Sequence, residues 1–440
     1  MITKLTFPIS RIEGHAQVVI EVENNEVISS HFQATEMRGF GRFVEGTPAE
    51  QMPVITPRIC GVCSTAHQVA SVKALEEIFQ VTPPPLARKI RELLLLGQLI
   101  QNQATSLFIF TMPDRLDVPS IFHSLESQNV SVSGICDNIA RCSLRVRKTG
   151  TDLITLAGGQ FIHPIKTIIG GVTSGIPAEA AAAMRKELNT IIPVVRVLFN
   201  HYWQLSTSLK DRIGTWGDDE PTFYITSTPY ESPRYDTDII RVLAPDGHQI
   251  DQFGANQFRE HLEFMDNEYS YAGQTKFQGQ VMRANSLARI NMTQSMGTEI
   301  ADSYLDRLKR AFGYPIHPIL LYDICRGIEL IHAIERALQL LSSPMDGDDT
   351  HTPYKPQDGE GFGLVEAPRG PLIHHYKVDG GKIAHAEFVI PTVHNMLAIE
   401  RALTVAARRY IKNGQINMEL EKAVGRVVRA FDPCIACATQ

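Results

Sequence analysis

The chain has 440 residues, of which 43% are hydrophobic and 20% are charged, a composition typical of a globular protein with a large core. Its formal net charge of −6 gives no indication of binding to nucleic acid or to an anionic membrane surface. No apolar run reaches transmembrane length and the N-terminus, MITKLTFPIS, does not resemble a signal peptide, so we expect a cytoplasmic protein, unless a signal-bearing partner exports it.

Strand-like alternation near the N-terminus gives way to helical patterns from Thr65 onward. The segment AQVVIEVENNEVISSHFQA predicts a β-hairpin around Asn24-Asn25, so residues 1–45 are expected to be β-rich. Residues 83–110 begin with prolines and predict a long buried helix. Further helices are predicted over about 65–80, 120–149 and 177–210, and a glycine-rich loop over 158–176.

The second half of the chain mixes strand-like and helical segments. Residues 215–285 combine short strand patterns with turns and predict a β-rich insertion. Two strong helices are expected, followed by a polar loop over 342–361. The other predicted elements are the helices 287–312, 317–343 and about 393–412, short strands at 372–378 and 383–390, and a last helix over LEKAVGRVVRAF. Together the patterns predict a helix-dominated α+β fold.

The seven cysteines are few for this length and odd in number, so a disulfide framework is not expected. Four of them form two Cys-x-x-Cys pairs at opposite ends of the chain, Cys60 with Cys63 and Cys434 with Cys437. The other three lie in helix-like stretches, where cysteine is usually a small buried apolar residue. These three are Cys136, Cys142 and Cys325.

The first pair lies in the segment RICGVCSTAH, where Arg58 and the N-terminus of the helix predicted from Thr65 both favour thiolate over thiol. Four thiolates brought together suit zinc, an iron–sulfur cluster or nickel. Three interpretations follow: a structural zinc site, a thioredoxin-like redox pair, and a buried catalytic metal held by both ends of the chain. Zinc ribbons use nearby pairs and a redox pair needs a βαβ context, but the residues alone leave all three open.

Four motifs that span the chain resemble the large, catalytic subunit of nickel–iron hydrogenases. They are RIEGH (11–15), RICGVCSTAH (58–67), EAPRG (366–370) and FDPCIAC (431–437), and they occur in that family's order and spacing. The resemblance implies one domain over residues 1–440, with a central bundle of long helices and small peripheral antiparallel sheets. It also implies an enzyme that reversibly splits dihydrogen. The C-terminus resembles the family's end after proteolytic removal of an extension, or that of a relative encoded without an extension.

The metal ligands implied by the resemblance are the two cysteine pairs. Cys60, Cys63, Cys434 and Cys437 are expected to bind nickel, and Cys63 and Cys437 are expected to bridge to an iron. That iron carries cyanide and carbon monoxide, so the expected cofactor is a Ni-Fe(CN)2CO centre.

The resemblance also implies roles for residues around these metals. Arg369 is expected to donate hydrogen bonds to a cyanide, while Pro368 and Thr392 line the same cavity. Cys434 is expected to take the proton that dihydrogen cleavage releases, and Glu13 to receive it next. The remaining expectations are a hydrogen bond from His67 to a cysteine sulfur and structural polar contacts from His15, His163 and Asp432.

Three positions depart from the family pattern. Gly41 and Gln440 stand where the family usually has the glutamate and the C-terminal histidine that bind a magnesium or similar ion, so a conventional magnesium site is doubtful. Asn102 stands where many relatives carry aspartate.

With four cysteines committed to nickel and iron, the chain lacks the cysteines for an electron relay of its own. We therefore expect its partner to be an iron–sulfur small subunit, with further electron-transfer subunits beyond it. Two alternatives are a hydrogenase-like subunit of a sensory or non-catalytic kind and the related quinone-site subunit of respiratory complex I, which normally lacks the cysteine pairs. A structural metal site is the third.

Overall fold

Long helices form the centre of the fold, and small sheets lie around them. The computed structural model describes residues 2–122, 135–209, 216–217, 220–412, 415–416 and 419–440. The helices are α1 (Phe40–Phe43), α2 (Met52–Ile55), α3 (Ser64–Ile78), α4 (Pro85–Ala104), α5 (Met112–Leu116), α6 (Ile139–Gly158), α7 (Ala178–Thr207), α8 (Phe258–His261), α9 (Ser286–Met292), α10 (Glu299–Phe312), α11 (Tyr322–Leu340), α12 (Pro391–Tyr410), α13 (Leu420–Phe431) and α14 (Ile435–Ala438). Shorter 3-10 turns occur at Ala49–Gln51, Thr56–Ile59, Ala255–Gln257 and Ile319–Leu321.

The strands form six small sheets in the described part of the chain. They are β1 (Thr3–Ile9), β2 (Ala16–Glu23), β3 (Glu26–Ala34), β4 (Thr167–Ile168), β5 (Gly171–Val172), β6 (Phe223–Thr226), β7 (Ile239–Leu243), β8 (Gln249–Gly254), β9 (Leu262–Met265), β10 (Gln274–Phe277), β11 (Met282–Arg283), β12 (Gly359–Ala367), β13 (Gly370–Asp379), β14 (Lys382–Val389), β15 (Ile411–Lys412) and β16 (Gln415–Ile416). The pairing is antiparallel except between β11 and β6, which run parallel. The predicted helix-dominated α+β class is confirmed.

Helix α4 is the central element, and it packs against α6 and α11. A π-helical stretch, Thr105–Thr111, joins it to α5. The whole segment Pro85–Leu116 is long and apolar enough to cross a membrane, but 83% of its most apolar window is buried inside the protein. Its length and composition are therefore explained by its position in the core.

The predicted N-terminal hairpin is present, with Glu23 paired to Glu26 across the turn. Asn24 and Asn25 have φ values of 51° and 70°, the left-handed pair that a two-residue hairpin turn requires. Strand β1 completes this sheet by pairing with β2. The hairpin packs on α12 through β3, and this contact holds the N-terminal motif near the end of the chain.

The described part of the 215–285 segment is rich in strands, as predicted. It contains the sheet with strand order β11-β6-β7-β8 and the separate pair β9 and β10. Its apolar side chains share one buried cluster with Leu364, Ile373 and Val389 of the sheet β12-β13-β14. Because a larger buried cluster runs from Ala16 to Ala438, we propose that residues 1–440 form one domain.

Several predicted elements differ in the structure. The helix expected over 287–312 is two helices, α9 and α10, because Asp302 accepts hydrogen bonds from Met296 N at 2.6 Å and Ser295 Oγ at 3.0 Å. The polar loop expected up to residue 361 already contains the start of β12. In the region 120–149 the helix begins at Ile139, and residues 123–134 lie outside the described part.

A further difference concerns the cysteines that were expected to be unpaired. Cys136 and Cys142 form a disulfide, so that expectation is wrong for them. Cys325 is a free, fully buried cysteine, as predicted. The pairing has little local signature, because a six-residue separation in a helix-like stretch does not indicate how the chain folds back.

The sheet β12-β13-β14 supports the region where the cysteine motifs meet. Strand β12 packs directly on α3, the helix that follows Cys63. A Cβ at Gly363 would lie 1.9 Å from Ala70 O, and one at Gly361 would lie 2.4 Å from Ala74 O. Only glycine allows the strand and helix backbones to approach so closely.

Candidate metal centre

The four cysteines of the two motifs lie together in the structure. Their sulfur atoms fall within 4.8 Å of one another, and all four residues are buried. Cys434 Sγ lies 3.4 Å from Cys60 Sγ, 3.8 Å from Cys63 Sγ and 2.8 Å from Cys437 Sγ. These separations exceed the length of a disulfide bond, and the four thiols are free. We call this group the cysteine cluster.

Two tight turns present these sulfurs. Cys60 follows the 3-10 turn Thr56–Ile59, and Cys63 caps the N-terminus of α3. Cys434 lies between α13 and α14 and Cys437 lies within α14, after Asp432 at the end of α13 has adopted a left-handed conformation with φ 48°. The chain therefore turns sharply into the cluster from both motifs.

The C-terminal segment is fastened by the N-terminal motif. Ile435 N donates to Glu13 O at 3.1 Å, and Cys434 N donates to Thr392 Oγ1 at 3.0 Å. Gly14 has φ +81°, and a Cβ at this position would lie 2.8 Å from Ile435 Cβ. The glycine of RIEGH is thus required by the close approach of the two ends of the chain.

The buried sulfurs cannot all be thiolates without added positive charge. Burial raises the pKa values of the Cys434 and Cys437 thiols well above their usual range, whereas hydrogen bonding to Cys434 lowers the pKa values of Cys60 and Cys63. Among the described residues, Arg369 is the cation that donates to the cluster, with Nη1 3.2 Å from Cys63 Sγ. Metal cations would supply the missing charge, since four soft donors in one buried cage suit nickel and iron.

Arg369 is held in place by Asp432, the residue two positions before Cys434. Its Nε donates to the Asp432 backbone carbonyl, and its Nη2 donates to Asp432 Oδ1 at 3.1 Å. The other carboxylate oxygen accepts from Asn102 Nδ2 at 3.2 Å. An amide at position 102 therefore supports the Asp432 carboxylate, where an aspartate would repel it.

Glu13 contacts the cluster directly. Its Oε2 lies 3.1 Å from Cys434 Sγ and accepts from Ala436 N at 3.0 Å. Burial raises the pKa of this carboxyl, and the Cys60 thiolate raises it further. A half-buried carboxyl group thus lies within hydrogen-bonding distance of one of the four sulfurs.

A chain of hydrogen bonds leads away from the Cys437 sulfur of the cysteine cluster. His67 Nε2 lies 3.5 Å from Cys437 Sγ, and His67 Nδ1 lies 2.9 Å from His374 Nε2. His374 Nδ1 is 2.6 Å from the Tyr376 hydroxyl, which lies 3.1 Å from Ser71 Oγ. Burial lowers the pKa of His67 to about 4 and that of His374 well below its usual value, so both rings are neutral.

Neutral rings allow this chain to run in either direction, and the state of the Cys437 sulfur selects one of them. A metal-bound thiolate can only accept, so His67 Nε2–H would donate to Cys437 Sγ, His374 Nε2–H to His67 Nδ1 and the Tyr376 hydroxyl to His374 Nδ1. The sequence reasoning found His67 but missed His374 and Tyr376. Their signal was the alternation in LIHHYKV, which places both on one face of a strand.

A second group that the sequence reasoning missed anchors the EAPRG motif. Arg289 donates to Glu329 Oε1, to Glu366 Oε1 at 2.8 Å and to the Pro368 carbonyl at 2.8 Å. All three charged side chains are almost fully buried. This network positions the backbone that carries Arg369.

The other residues predicted from the sequence differ in their contacts and in their exposure to solvent. Pro368 is buried, and Thr392 contacts the cluster through the Cys434 backbone. His163 Nδ1 lies 3.1 Å from Pro57 O, close to the first motif, whereas the side chain of His15 is 75% exposed. Arg58 is exposed and donates to Val54 O, so the expectation that it favours the thiolates is wrong and Arg369 takes that place.

The two departures from the magnesium pattern meet in space. Gln440 Oε1 accepts from Phe40 N at 3.3 Å, and its Nε2 donates to Ala436 O. Thr439 O accepts from Arg38 N at 2.9 Å and from Gly39 N at 3.2 Å. Gly41 offers no carboxylate, so these residues do not fit a conventional magnesium site, and backbone hydrogen bonds fasten the segment instead.

Sequence comparison finds similarity to nickel-dependent hydrogenases, in agreement with the cysteine cluster. The sequence profile of the nickel-dependent hydrogenase family matches residues 38–141 and 231–440, and a HoxL-like profile matches residues 6–37. Among curated relatives, the vhu-type subunit of the F420-non-reducing hydrogenase of Methanocaldococcus jannaschii is 32% identical over 92% of this chain and 98% of its own. The beta subunit of the NAD-reducing hydrogenase HoxS of Cupriavidus necator is 28% identical over 98% of this chain and 93% of its own.

Solved structures show the same fold over the whole chain. An NAD+-reducing [NiFe]-hydrogenase in the H2-reduced state is similar with a TM-score of 0.91 and 27% identity, covering 100% of this chain and 99% of that one. The Ni-Fe-Se hydrogenase from D. vulgaris Hildenborough is similar with a TM-score of 0.80 and 21% identity, covering both chains fully. The chain therefore belongs to the nickel-dependent hydrogenase family, as the catalytic large subunit of a nickel–iron hydrogenase.

Proposed function

We propose that this protein reversibly cleaves dihydrogen into protons and electrons at the cysteine cluster and passes the electrons to an iron–sulfur partner. The observation that supports this most is the arrangement of four buried cysteine sulfurs with a carboxyl oxygen 3.1 Å from one of them. Such a set combines soft metal ligands with a proton acceptor in one site.

We assign the metal-ligand roles from the positions of the four cysteines in the two Cys-x-x-Cys motifs. All four cysteines would bind nickel, and Cys63 and Cys437 would also bridge to iron carrying two cyanides and one carbon monoxide. When bound, this centre supplies the metal ions at which dihydrogen is polarised and split. The protein's own contribution is to hold the four sulfurs, because Ile435 N donates to Glu13 O of the N-terminal motif and Cys434 N donates to Thr392 Oγ1.

Glu13 and Cys434 carry the proton. The Cys434 sulfur would take the proton released from dihydrogen, and Glu13 Oε2 would receive it next across 3.1 Å. Because burial raises the pKa of Glu13, its proton affinity is moved towards that of a thiol, as transfer in both directions requires. Ala436 N keeps the carboxylate oriented at the sulfur.

Arg369 and its neighbours would shape the space beside the iron. The guanidinium is buried, carries charge next to Cys63, and retains donor capacity for a cyanide. Pro368 would supply an apolar wall, and Thr392 would hold the Cys434 backbone. His67 would donate to Cys437 and so reduce the negative charge on that sulfur.

The electrons must leave through another protein chain. Of the seven cysteines, four form the cluster, two form a disulfide and Cys325 is buried alone, so this chain offers no ligand set for an iron–sulfur cluster. We therefore propose that its partners are an iron–sulfur small subunit, together with further electron-transfer subunits, in a cytoplasmic complex. Because the relatives include both F420-non-reducing and NAD-reducing hydrogenases, we infer that partner subunits determine the electron acceptor.

We also propose that the enzyme works without a magnesium ion at the position of Gly41 and Gln440. The amide oxygen of Gln440 already accepts a hydrogen bond, and no carboxylate faces it from residue 41. Dialysis against a magnesium chelator should therefore leave dihydrogen uptake unchanged, and a loss of activity that added Mg²⁺ restores would contradict this.

An infrared spectrum of the purified complex, with nickel and iron measured on the same sample, tests the proposed centre. We expect bands from metal-bound cyanide and carbon monoxide and about one nickel per chain. Zinc in place of nickel and no such bands would show a structural metal site. Dihydrogen uptake with an artificial electron acceptor then separates an enzyme from a sensory protein that turns over slowly.

A further inference from the structure

A second group of potential metal-binding side chains lies away from the cysteine cluster, on the face of the sheet β12-β13-β14 that also packs against the β-rich segment 215–285. Its potential ligand atoms, one each from His375, His385 and Glu387, lie within 4.8 Å of one another. His375 is opposite Glu387 in the pairing of β13 with β14, and His385 is two residues before Glu387 on the same face. The opposite face carries His374, which belongs to the hydrogen-bond chain that reaches Cys437.

The surroundings of His375 fix the orientation of its ring. Its Nε2 lies 2.7 Å from Glu360 Oε1, and Phe362 stacks on the ring at 4.3 Å with an interplanar angle of 9°. A neutral ring therefore carries its proton on Nε2 and donates it to Glu360. The lone pair on Nδ1 then faces Glu387 Oε2, 3.4 Å away, although a carboxylate has no proton to donate.

A cation between His375 Nδ1 and Glu387 Oε2 would bind to both atoms, which are otherwise two acceptors that face each other with no proton between them. The arrangement matches that of histidine metal ligands, whose second nitrogen usually donates to a carboxylate. Glu387 is also oriented by a hydrogen bond, because its other carboxylate oxygen accepts from Arg259 Nη2 at 2.6 Å. A histidinium held between two carboxylates would also satisfy His375, but it would give no role to His385.

We propose that His375, His385 and Glu387 bind one divalent transition-metal ion of the zinc type, with Glu360 and Arg259 as supports. Two imidazoles and one carboxylate form a known zinc ligand set, and a water molecule would complete a tetrahedron. His375 is buried and His385 is exposed, so the ion would be reached from solvent at the rim of the sheet. The proposal is independent of the chemistry at the cysteine cluster.

Zinc binding to the purified hydrogenase complex tests the proposal. The complex is dialysed against a chelator, titrated with Zn²⁺, and freed of excess metal by gel filtration, and zinc, nickel and iron are then counted per chain. We expect the parent complex to hold one zinc more than the His385→Gln variant. His248→Gln, which changes a histidine with an 83% exposed side chain outside the group, should bind as the parent does.

Two further measurements distinguish this site from the cysteine cluster and from a histidinium. X-ray absorption at the zinc edge should show nitrogen and oxygen neighbours, whereas zinc bound by the cysteine cluster would show sulfur. Glu360→Gln should weaken binding about 10- to 100-fold, because the ring of His375 would lose its carboxylate acceptor. Equal zinc in the parent and His385→Gln, no zinc in the parent, or sulfur-only coordination would each overturn the proposal, whatever the nickel content.

Discussion

At the scale of single residues, the pair of Glu13 and Cys434 has the most direct consequence for chemistry. The carboxyl oxygen contacts both the sulfur and Ala436 N, so a glutamine at position 13 can keep the backbone contact through its amide oxygen. What glutamine cannot do is accept a proton from the sulfur. The substitution therefore separates proton transfer from the structure of the site.

Glu13→Gln should lower dihydrogen uptake by about 10²- to 10⁴-fold, the usual contribution of a positioned acid or base. Nickel and iron contents should match the parent, because no metal ligand changes. Glu36→Gln, which alters an exposed glutamate near His15, is the control and should retain activity. Parent-like activity in Glu13→Gln would show that the proton leaves Cys434 by another route.

His374 is a residue-scale feature with a different role, because it acts on the cluster only through His67. His374→Phe removes the donor to His67 Nδ1 and should lower dihydrogen uptake about 10- to 100-fold with nickel retained. His374→Gln can still donate to His67 through its amide and should recover most of the activity. Equal losses in both variants would indicate a packing effect instead.

At the scale of elements, the contact between α4 and α6 shows how closely the central helices pack. A Cβ on Gly150 of α6 would lie 2.5 Å from Gln101 N and 2.9 Å from Gln101 Cα of α4. Nearby, a Cβ on Gly97 would lie 3.0 Å from Ile154 N. Because backbone atoms are the obstacles, this interface cannot adjust by a rotamer change.

Gly150→Ala should lower the free energy of unfolding by about 1–3 kcal/mol, even though alanine favours helix by about 1 kcal/mol over glycine. The thermal unfolding temperature of the complex, expected to fall by a few degrees, measures the effect. Thr155→Ala, at an exposed position of the same helix, is the matched control and should change little. An unchanged unfolding temperature for Gly150→Ala would mean that α4 and α6 can move apart.

At the scale of the whole molecule, Glu400 joins three separate parts of the chain. It lies on α12 and accepts from Phe32 N of β3 at 3.1 Å, and from Tyr269 and Gln274 of the β-rich insertion at 3.0 Å and 3.1 Å. His31 Nδ1 is 3.9 Å away. Burial raises the pKa of Glu400 to about 7 from a usual 4.5.

This shift predicts a stability that falls as pH rises. A carboxyl whose pKa is raised by folding binds its proton more tightly in the folded state, so its contribution is complete below about pH 4.5 and is lost as pH rises through about 7. The lost contribution is about 3 kcal/mol, from roughly 1.4 kcal/mol per pKa unit for a side chain that is 12% exposed. Glu400→Gln has no such titration, so it should gain thermal stability over the parent between pH 5 and about pH 8. Parallel unfolding curves across that range would contradict the shift.

The patterns in the sequence predicted much of the fold because they depend on local chemistry. Hydrophobic periodicity identified α3, α4, α11 and α12, and Asn24-Asn25 identified the hairpin. Strand β12 was not predicted, because its glycines are required by the backbone of α3 and weaken the local strand pattern. The interruption between α9 and α10 was missed since it depends on the side chain of Asp302.

By itself, the sequence determined the family, the helix-dominated class and the residues offered as ligands, because motif chemistry and periodicity are written in the order of the side chains. Only the tertiary structure decided which groups touch. It brings Glu13 to Cys434 across 421 positions, replaces Arg58 with Arg369 as the cation beside the thiolates, and pairs Asn102 with Asp432. It also pairs Cys136 with Cys142 and places His374 behind His67. Distances of a few ångströms between residues hundreds of positions apart depend on how the whole core packs, and no local pattern encodes that packing.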